Sequence, residues 1–232
     1  MDERGRNGTL ALVGGREWTD GCSFDVGLLG DADEVLLLPS ALAYESPGAA
    51  IERATAWFDA LGARVRVLDV YRRADALEPE VAEVAAAARF VYITGGSPMH
   101  LRSVLKDTPL LEALVGAWRA GTTVAAAGEA AAVLCSHMVD SRGGAYTVGL
   151  DLLTTMTVVP RYNLWSPDKW HRTVQLARRG LPVVGVDEAT ALIHAGRGEW
   201  RVEGAGGVHV FVDGQRRDLD ALPASLNPVL DA

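Results

Sequence analysis

The sequence predicts an α/β fold, a three-layer sandwich in which helices cover both faces of a mainly parallel sheet. Three observations carry that expectation. Short apolar runs alternate with helical patterns at intervals of roughly fifteen residues, the rhythm of βαβ units. The runs are apolar throughout rather than at every second position, as strands buried on both faces are. Several of them close on glycine pairs or on a glycine that opens a helix. The 232 residues suffice for a sizeable core, and with no internal repeat, low-complexity segment or linker a single domain over residues 1–232 is expected.

Residues 9–15 (TLALVGG), 34–39 (EVLLLP) and 64–70 (RVRVLDV) read as the first three strands. Between the second and third, residues 47–61 put Ile51, Ala54, Trp57, Phe58 and Leu61 at helical spacing, with Pro47 in the first turn and Gly62 as the stop. Residues 76–88 are an alanine-rich helix, and 90–94 (FVYIT) a fourth strand ending in Gly95-Gly96. Residues 98–119 are helical with a break at Thr108-Pro109, since proline ends or kinks a helix.

The stretch 121–135 (GTTVAAAGEAAAVLC) organises the rest. Residues 122–127 form a buried strand, Gly128-Glu129 follow with no loop, and Ala130 to Leu134 favour a helix that carries Cys135. A strand that turns straight into a helix around a small residue has the shape of a nucleophile elbow, which lifts one side chain beside the N–H groups of a helix N-terminus. An enzyme of that design would lift Ser or Cys; here the residue is Gly128 or Glu129. Further on come a turn at 141–144, a strand at 155–160 (TMTVVP), a polar loop at 161–168 and a helix to 177. The last third holds short strands at 182–186, 191–194, 200–203 and 208–212, expected as antiparallel additions at one edge.

A formal charge of −8 with no Lys/Arg run argues against a nucleic-acid partner. No apolar stretch approaches membrane-span length and the first residues are too polar for a signal peptide, so a cytoplasmic location is expected. Cys22 and Cys135 make neither a disulfide framework nor a four-cysteine zinc site, and the five histidines lack ligand spacing. Neither metal nor cofactor is expected. A homodimer through the exposed edge of the C-terminal strands is compatible with the sequence but not demanded by it.

The order of GGREW, TGGSPMHLRSVLKDTP, the elbow, RGGAYTVGLDL, TVVPRYNLWSPDKWHRT and GVDEATALI resembles the peptidase S51 family, which includes dipeptidase E and cyanophycinase. The likeness runs from about residue 9 to residue 212. It implies the class I glutamine-amidotransferase-like (flavodoxin-like) fold, a serine nucleophile on the elbow, a histidine after a later strand, and an oxyanion hole from the Gly-Gly turn and the residue after the nucleophile. Aligning the family's G-S-S-A-G-A elbow without a gap through Val133-Leu134-Cys135 puts Gly128 at the nucleophile and Glu129 after it. The family's V-V-P-H becomes Val158-Val159-Pro160-Arg161. Glycine offers no nucleophile, and arginine keeps its proton and cannot act as a base near neutral pH. Serine peptidase activity is therefore not expected.

Three readings follow. The altered site binds a small carboxylate- or peptide-like ligand. Alternatively it runs a non-hydrolytic reaction, with Glu129 as acid or base and Arg161 as substrate anchor. In the third, an amide hydrolase remains active through another residue such as Ser97 or Ser136. Glu129 and Arg161 are the catalytic candidates, and Gly95, Gly96, Ser97, Gly128, Glu129, Arg161, Asp187 and Glu188 the ligand-binding ones. The carboxylates of Asp187 and Glu188 either line the pocket or satisfy backbone and arginine partners. His171 is expected to be a packing or surface residue. A closed bidentate contact between Glu129 and Arg161 with no cavity would mark a retired site, and an open space faced by both would mark one in use.

Overall fold

The apolar runs become strands in a computed structural model that describes residues 7–196 and 198–227. In chain order these are β1 (Leu10–Val13), β2 (Glu34–Leu38), β3 (Arg64–Val67), β4 (Phe90–Ile93), β5 (Thr123–Ala127), β6 (His137–Val139), β7 (Tyr146–Val148), β8 (Thr157–Pro160), β9 (Val183–Val186), β10 (Thr190–His194), β11 (Trp200–Gly204), β12 (Val208–Val212) and β13 (Gln215–Arg217). The helices are α1 (Phe24–Leu29), α2 (Gly48–Ala60), α3 (Pro79–Ala87), α4 (Pro98–Leu105), α5 (Pro109–Arg119), α6 (Glu129–Val133) and α7 (Pro167–Leu176).

The central sheet has the order β11-β10-β1-β5-β4-β2-β3. The five strands from β1 to β3 are parallel, and β10 and β11 add to the β1 edge antiparallel. Successive residues of β4 and β5 serve opposite cores. Phe90, Tyr92, Ala125 and Ala127 pack with α1 and α2, whose Phe24, Leu28, Ala54 and Phe58 face them. Val91, Ile93, Val124 and Ala126 pack with Leu101, Leu114 and Ala131 of α4, α5 and α6. Helices on both faces make this the flavodoxin-like three-layer architecture.

Several expectations need correcting. The C-terminal strands do not all extend one edge: β8 pairs parallel with β9, and β12 and β13 continue antiparallel, giving a separate four-stranded sheet. A short apolar run reveals that a strand exists but not which strand it joins. The helix after the elbow ends at Val133, so Cys135 lies beyond it and forms an isolated bridge with Leu153. The turn expected at 141–144 is present, as the tip of a hairpin between β6 and β7, and His137 sits on its first strand. The helix at 76–88 divides into a single turn at Asp75–Leu77 and α3, because Pro79 suits the first turn of a helix better than its interior. Regular pairing at 64–70 stops at Val67. Helix α1 was not anticipated.

The break at Thr108-Pro109 is a cap. Thr108 is buried; its hydroxyl donates to the Leu105 carbonyl at 2.7 Å and accepts from the Leu111 N–H at 3.3 Å. Thr108→Ala is expected to cost about 1–2 kcal/mol, the worth of an N-cap in a buried setting, read as a shifted urea midpoint with an unchanged slope. A cost near zero would mean that packing alone sets where α5 begins.

Candidate functional site

The site grows from the end of β1. The N–H of Gly128 donates to the Val13 carbonyl at 2.8 Å, that of Arg161 to Gly14 at 2.8 Å, and that of Ala189 to Gly15 at 2.8 Å. The Gly14 N–H donates to Thr190 at 2.9 Å. These bonds stitch the elbow after β5 to the last residue of β1, and the end of β8 and the loop after β9 to the glycine pair that follows it.

At the elbow, Gly128 has φ 52° and ψ −130°, a conformation that side-chain-bearing residues adopt only under strain. Gly128 is the single residue between β5 and α6. Gly15 (φ 103°) serves by leaving room: a Cβ there would stand 3.0 Å from Nε of Arg161. Arg161 is itself left-handed, with φ 52° and ψ 40°, and its side chain lies back across Gly15 towards α6. Nη1 donates to Oε1 of Glu129 at 2.8 Å, and Nη2 is 3.7 Å from where a Cβ on Gly128 would be. The Glu129 side chain is 14% exposed and that of Arg161 40%. Four non-glycine residues of positive φ ring this junction, namely Arg16, Trp18, Arg161 and Ala189. Such strain persists only where the surroundings over-determine it, and it gathers at functional sites.

Beside Arg161 opens a cleft of about 290 Å³. Its charges are of both signs: Arg16, Arg53 and Arg161 with Glu17, Glu45 and Glu188, over a floor that includes Gly95 and Gly96. Burial raises the Glu17 carboxyl above the ordinary range, Arg161 and Arg53 pull it back, and Glu129 adds to the rise. Arg161 thus stands between two carboxylates, Glu129 on the elbow and Glu17 on the turn after β1.

The ligand-binding candidates fall into three groups. Gly95, Gly96, Arg161 and Glu188 line the cleft, with Gly128 and Glu129 directly behind Arg161. Ser97 faces a neighbouring cleft of about 390 Å³, shared with Gly96, Glu45, Asp140 and Arg142. Asp187 turns to the backbone: Oδ2 accepts the Gly207 N–H at 2.9 Å and lies 3.3 Å from Nε2 of His209. Glu188 pairs with the Asn163 side chain through its N–H at 2.9 Å and its carboxylate at 3.4 Å. Among the described residues neither Ser97 nor Ser136 is hydrogen-bonded to a histidine; the Ser97 N–H donates to Ala41, and the Ser136 N–H to Leu153. His100 meets the Tyr71 carbonyl at 2.9 Å, and His171 is exposed on α7. Both cysteines are free and buried, and burial lifts the Cys135 thiol to about 12.

Sequence reasoning missed Glu17, Arg16 and Arg53. The signal for the first two was present, because residues just past the carboxyl end of a parallel strand face the ligand crevice and these follow Gly14-Gly15. Arg53 lies on the polar side of α2, where nothing local marks it.

The sequence model of Peptidase family S51 matches residues 26–199, three quarters of the chain. This chain belongs to peptidase family S51. Among S51-related proteins, the cyanophycinases of Trichormus variabilis and Synechococcus elongatus are each 28% identical over 166 residues, covering 66% of this chain and 55% and 51% of theirs. The chain spans about half the length of these relatives. The crystal structure of a peptidase from an acI-B1 Actinobacterium superposes with a TM-score of 0.80 at 28% identity, covering 92% of this chain and 94% of that one. A putative peptidase E protein from Listeria monocytogenes superposes with a TM-score of 0.68 at 18% identity, over 86% and 100% of the two chains, and shares the fold. No helix among the described residues is long and apolar enough to cross a membrane.

Proposed function

We propose that this S51 protein binds a small carboxylate- or peptide-like ligand in the cleft beside Arg161 and does not work as a serine peptidase. The observation that carries this reading is the placement of Arg161. It occupies the position aligned with the family's histidine, stands 3.7 Å from the Cβ site of Gly128, and presents a partly exposed guanidinium to the cleft. A carboxylate can be received there by charge-assisted hydrogen bonds, while Glu17, Glu45 and Glu188 offer partners for an ammonium group. The contact with Glu129 is made through one nitrogen and has a cleft beside it, which supports a site in use rather than one collapsed on itself.

A second reading draws on the two carboxylates around Arg161. Glu129 or Glu17 moves a proton in a non-hydrolytic reaction while Arg161 anchors the substrate; the raised Glu17 favours it.

Calorimetric titration with succinate, aspartate and an aspartyl dipeptide tests the proposal. Arg161→Met is expected to weaken binding of the best of these about tenfold to a hundredfold, the worth of a hydrogen bond to a charged group. Glu129→Gln should leave binding measurable, and a fluorophosphonate should label neither protein. Equal affinity in Arg161→Met, or stoichiometric labelling at Ser97 or Ser136, would sink the proposal.

A further inference from the structure

Beneath the turn that carries Glu17 into the cleft lies a set of polar side chains with no access to water. Asp25 of α1 is fully buried; Oδ2 accepts the Trp57 indole N–H at 3.0 Å, and Oδ1 has no partner. The Trp18 indole N–H and the Tyr92 hydroxyl are likewise buried without partners, and the two rings pack 5.2 Å apart. The connecting backbone is strained: Gly15, Arg16 and Trp18 have φ of 103°, 58° and 61°. Glu17 addresses Arg161, Arg53 and Glu129 on the cleft side, whereas its neighbour Trp18 packs in the core against Tyr92. Sγ of Cys22 holds the inner side, 3.6 Å from the Arg16 carbonyl and 3.8 Å from the Thr19 hydroxyl.

We propose that the proton on Asp25 sets the position of the Arg16-Glu17-Trp18 turn, and with it the carboxylate that Glu17 presents to the cleft. A neutral Asp25 fits its apolar surroundings. An ionised one leaves a charged oxygen buried and unpaired, which is costly enough that the surroundings must change. Relief comes from drawing the Trp18 indole N–H or water towards Oδ1, and either movement pulls on the turn. The other groups that face Asp25 bring no cation to it, and the one further donor is the Tyr92 hydroxyl, whose ring packs on Trp18 of the same turn. Glu17 in the turn, Cys22 before α1 and Tyr92 on β4 are neutral or anionic, and Trp57 on α2 is already bonded; Arg53, also on α2, acts on Glu17. Burial above all, with the Glu17 charge adding, raises the Asp25 carboxyl to about 7. The change therefore falls near neutral pH.

Hydrogen exchange of the ligand-free protein between pH 5.5 and 8.5, corrected for intrinsic rates, tests this independently of the binding reading. Residues 14–20 of the wild type are expected to lose protection about tenfold as pH rises through about 7, while amides of similar protection elsewhere keep theirs. Asp25→Asn should abolish the step. Trp57→Phe removes the donor that favours the ionised form and should move the step to higher pH; it also serves if the asparagine variant does not fold. The proposal is overturned if the wild type shows no step, if Asp25→Asn keeps it, if Trp57→Phe leaves its midpoint in place, or if the turn loosens only in parallel with the slowest core amides, since Asp25 would then act through global unfolding.

Discussion

Asp25→Asn is expected to stabilise the protein by about 2–4 kcal/mol at pH 8 and to change little at pH 4, a pH dependence set by the size of the Asp25 shift. The sign follows from proton binding. The carboxyl is raised from 3.8 to about 7 in the fold, chiefly by burial. Well below 3.8 it is protonated in both the folded and the unfolded chain and contributes nothing. Between about 4 and 7 the unfolded chain ionises while the fold keeps its proton, so stability falls as pH rises. Above 7 the full penalty applies, and a shift of some three pH units corresponds to about 4 kcal/mol as an upper figure. Asparagine keeps an oxygen for the Trp57 indole and does not titrate, though its amide nitrogen inherits the position without a partner, which lowers the gain. Urea unfolding at pH 4, 6 and 8 reads the effect. Parallel stability curves for the two proteins would show that the Asp25 carboxyl is not raised by the fold.

Nothing in the sequence marks Asp25. It lies in a six-residue helix, FDVGLL, shorter than any window in which hydrophobic periodicity can be seen. Its environment comes from Trp57, thirty-two positions later, and from Tyr92 on β4. The elbow was legible for the opposite reason: strand, turn and helix are consecutive, so local composition determines all three. The pairing of Glu129 with Arg161 lies between these cases. No spacing rule joins a residue just past β8 to one on α6, and only the resemblance to S51 peptidases put them opposite each other. The second sheet stayed hidden because the partner of β8, which is β9, is chosen by tertiary packing and not by either run. Glu17 was hidden in plain view, directly after a glycine pair read only as a turn.

Placing a hydroxyl on the elbow is expected to fail alone and to succeed in company. Gly128→Ser places its Cβ with 3.7 Å of clearance from both Nη2 of Arg161 and Cα of Gly95, so space does not forbid it. The positive φ does cost something, about 1–3 kcal/mol for a side chain held in that region. The new hydroxyl then faces a permanent cation and no base, and a fluorophosphonate should leave it unmodified. Adding Arg161→His puts an imidazole where the guanidinium now approaches position 128 and removes the partner of Glu129. A general base at that distance accelerates attack by about 10²–10⁴-fold, so the double variant should be labelled while either single variant is not. Mass spectrometry locates the adduct and the unfolding midpoint reports the strain. Labelling of the single Gly128→Ser variant would reveal a base other than residue 161. A folded double variant that resists labelling would mean that the glycine backbone makes the turn of a nucleophile elbow without the surroundings that activate one, and that the site differs from the family's pattern through more than positions 128 and 161.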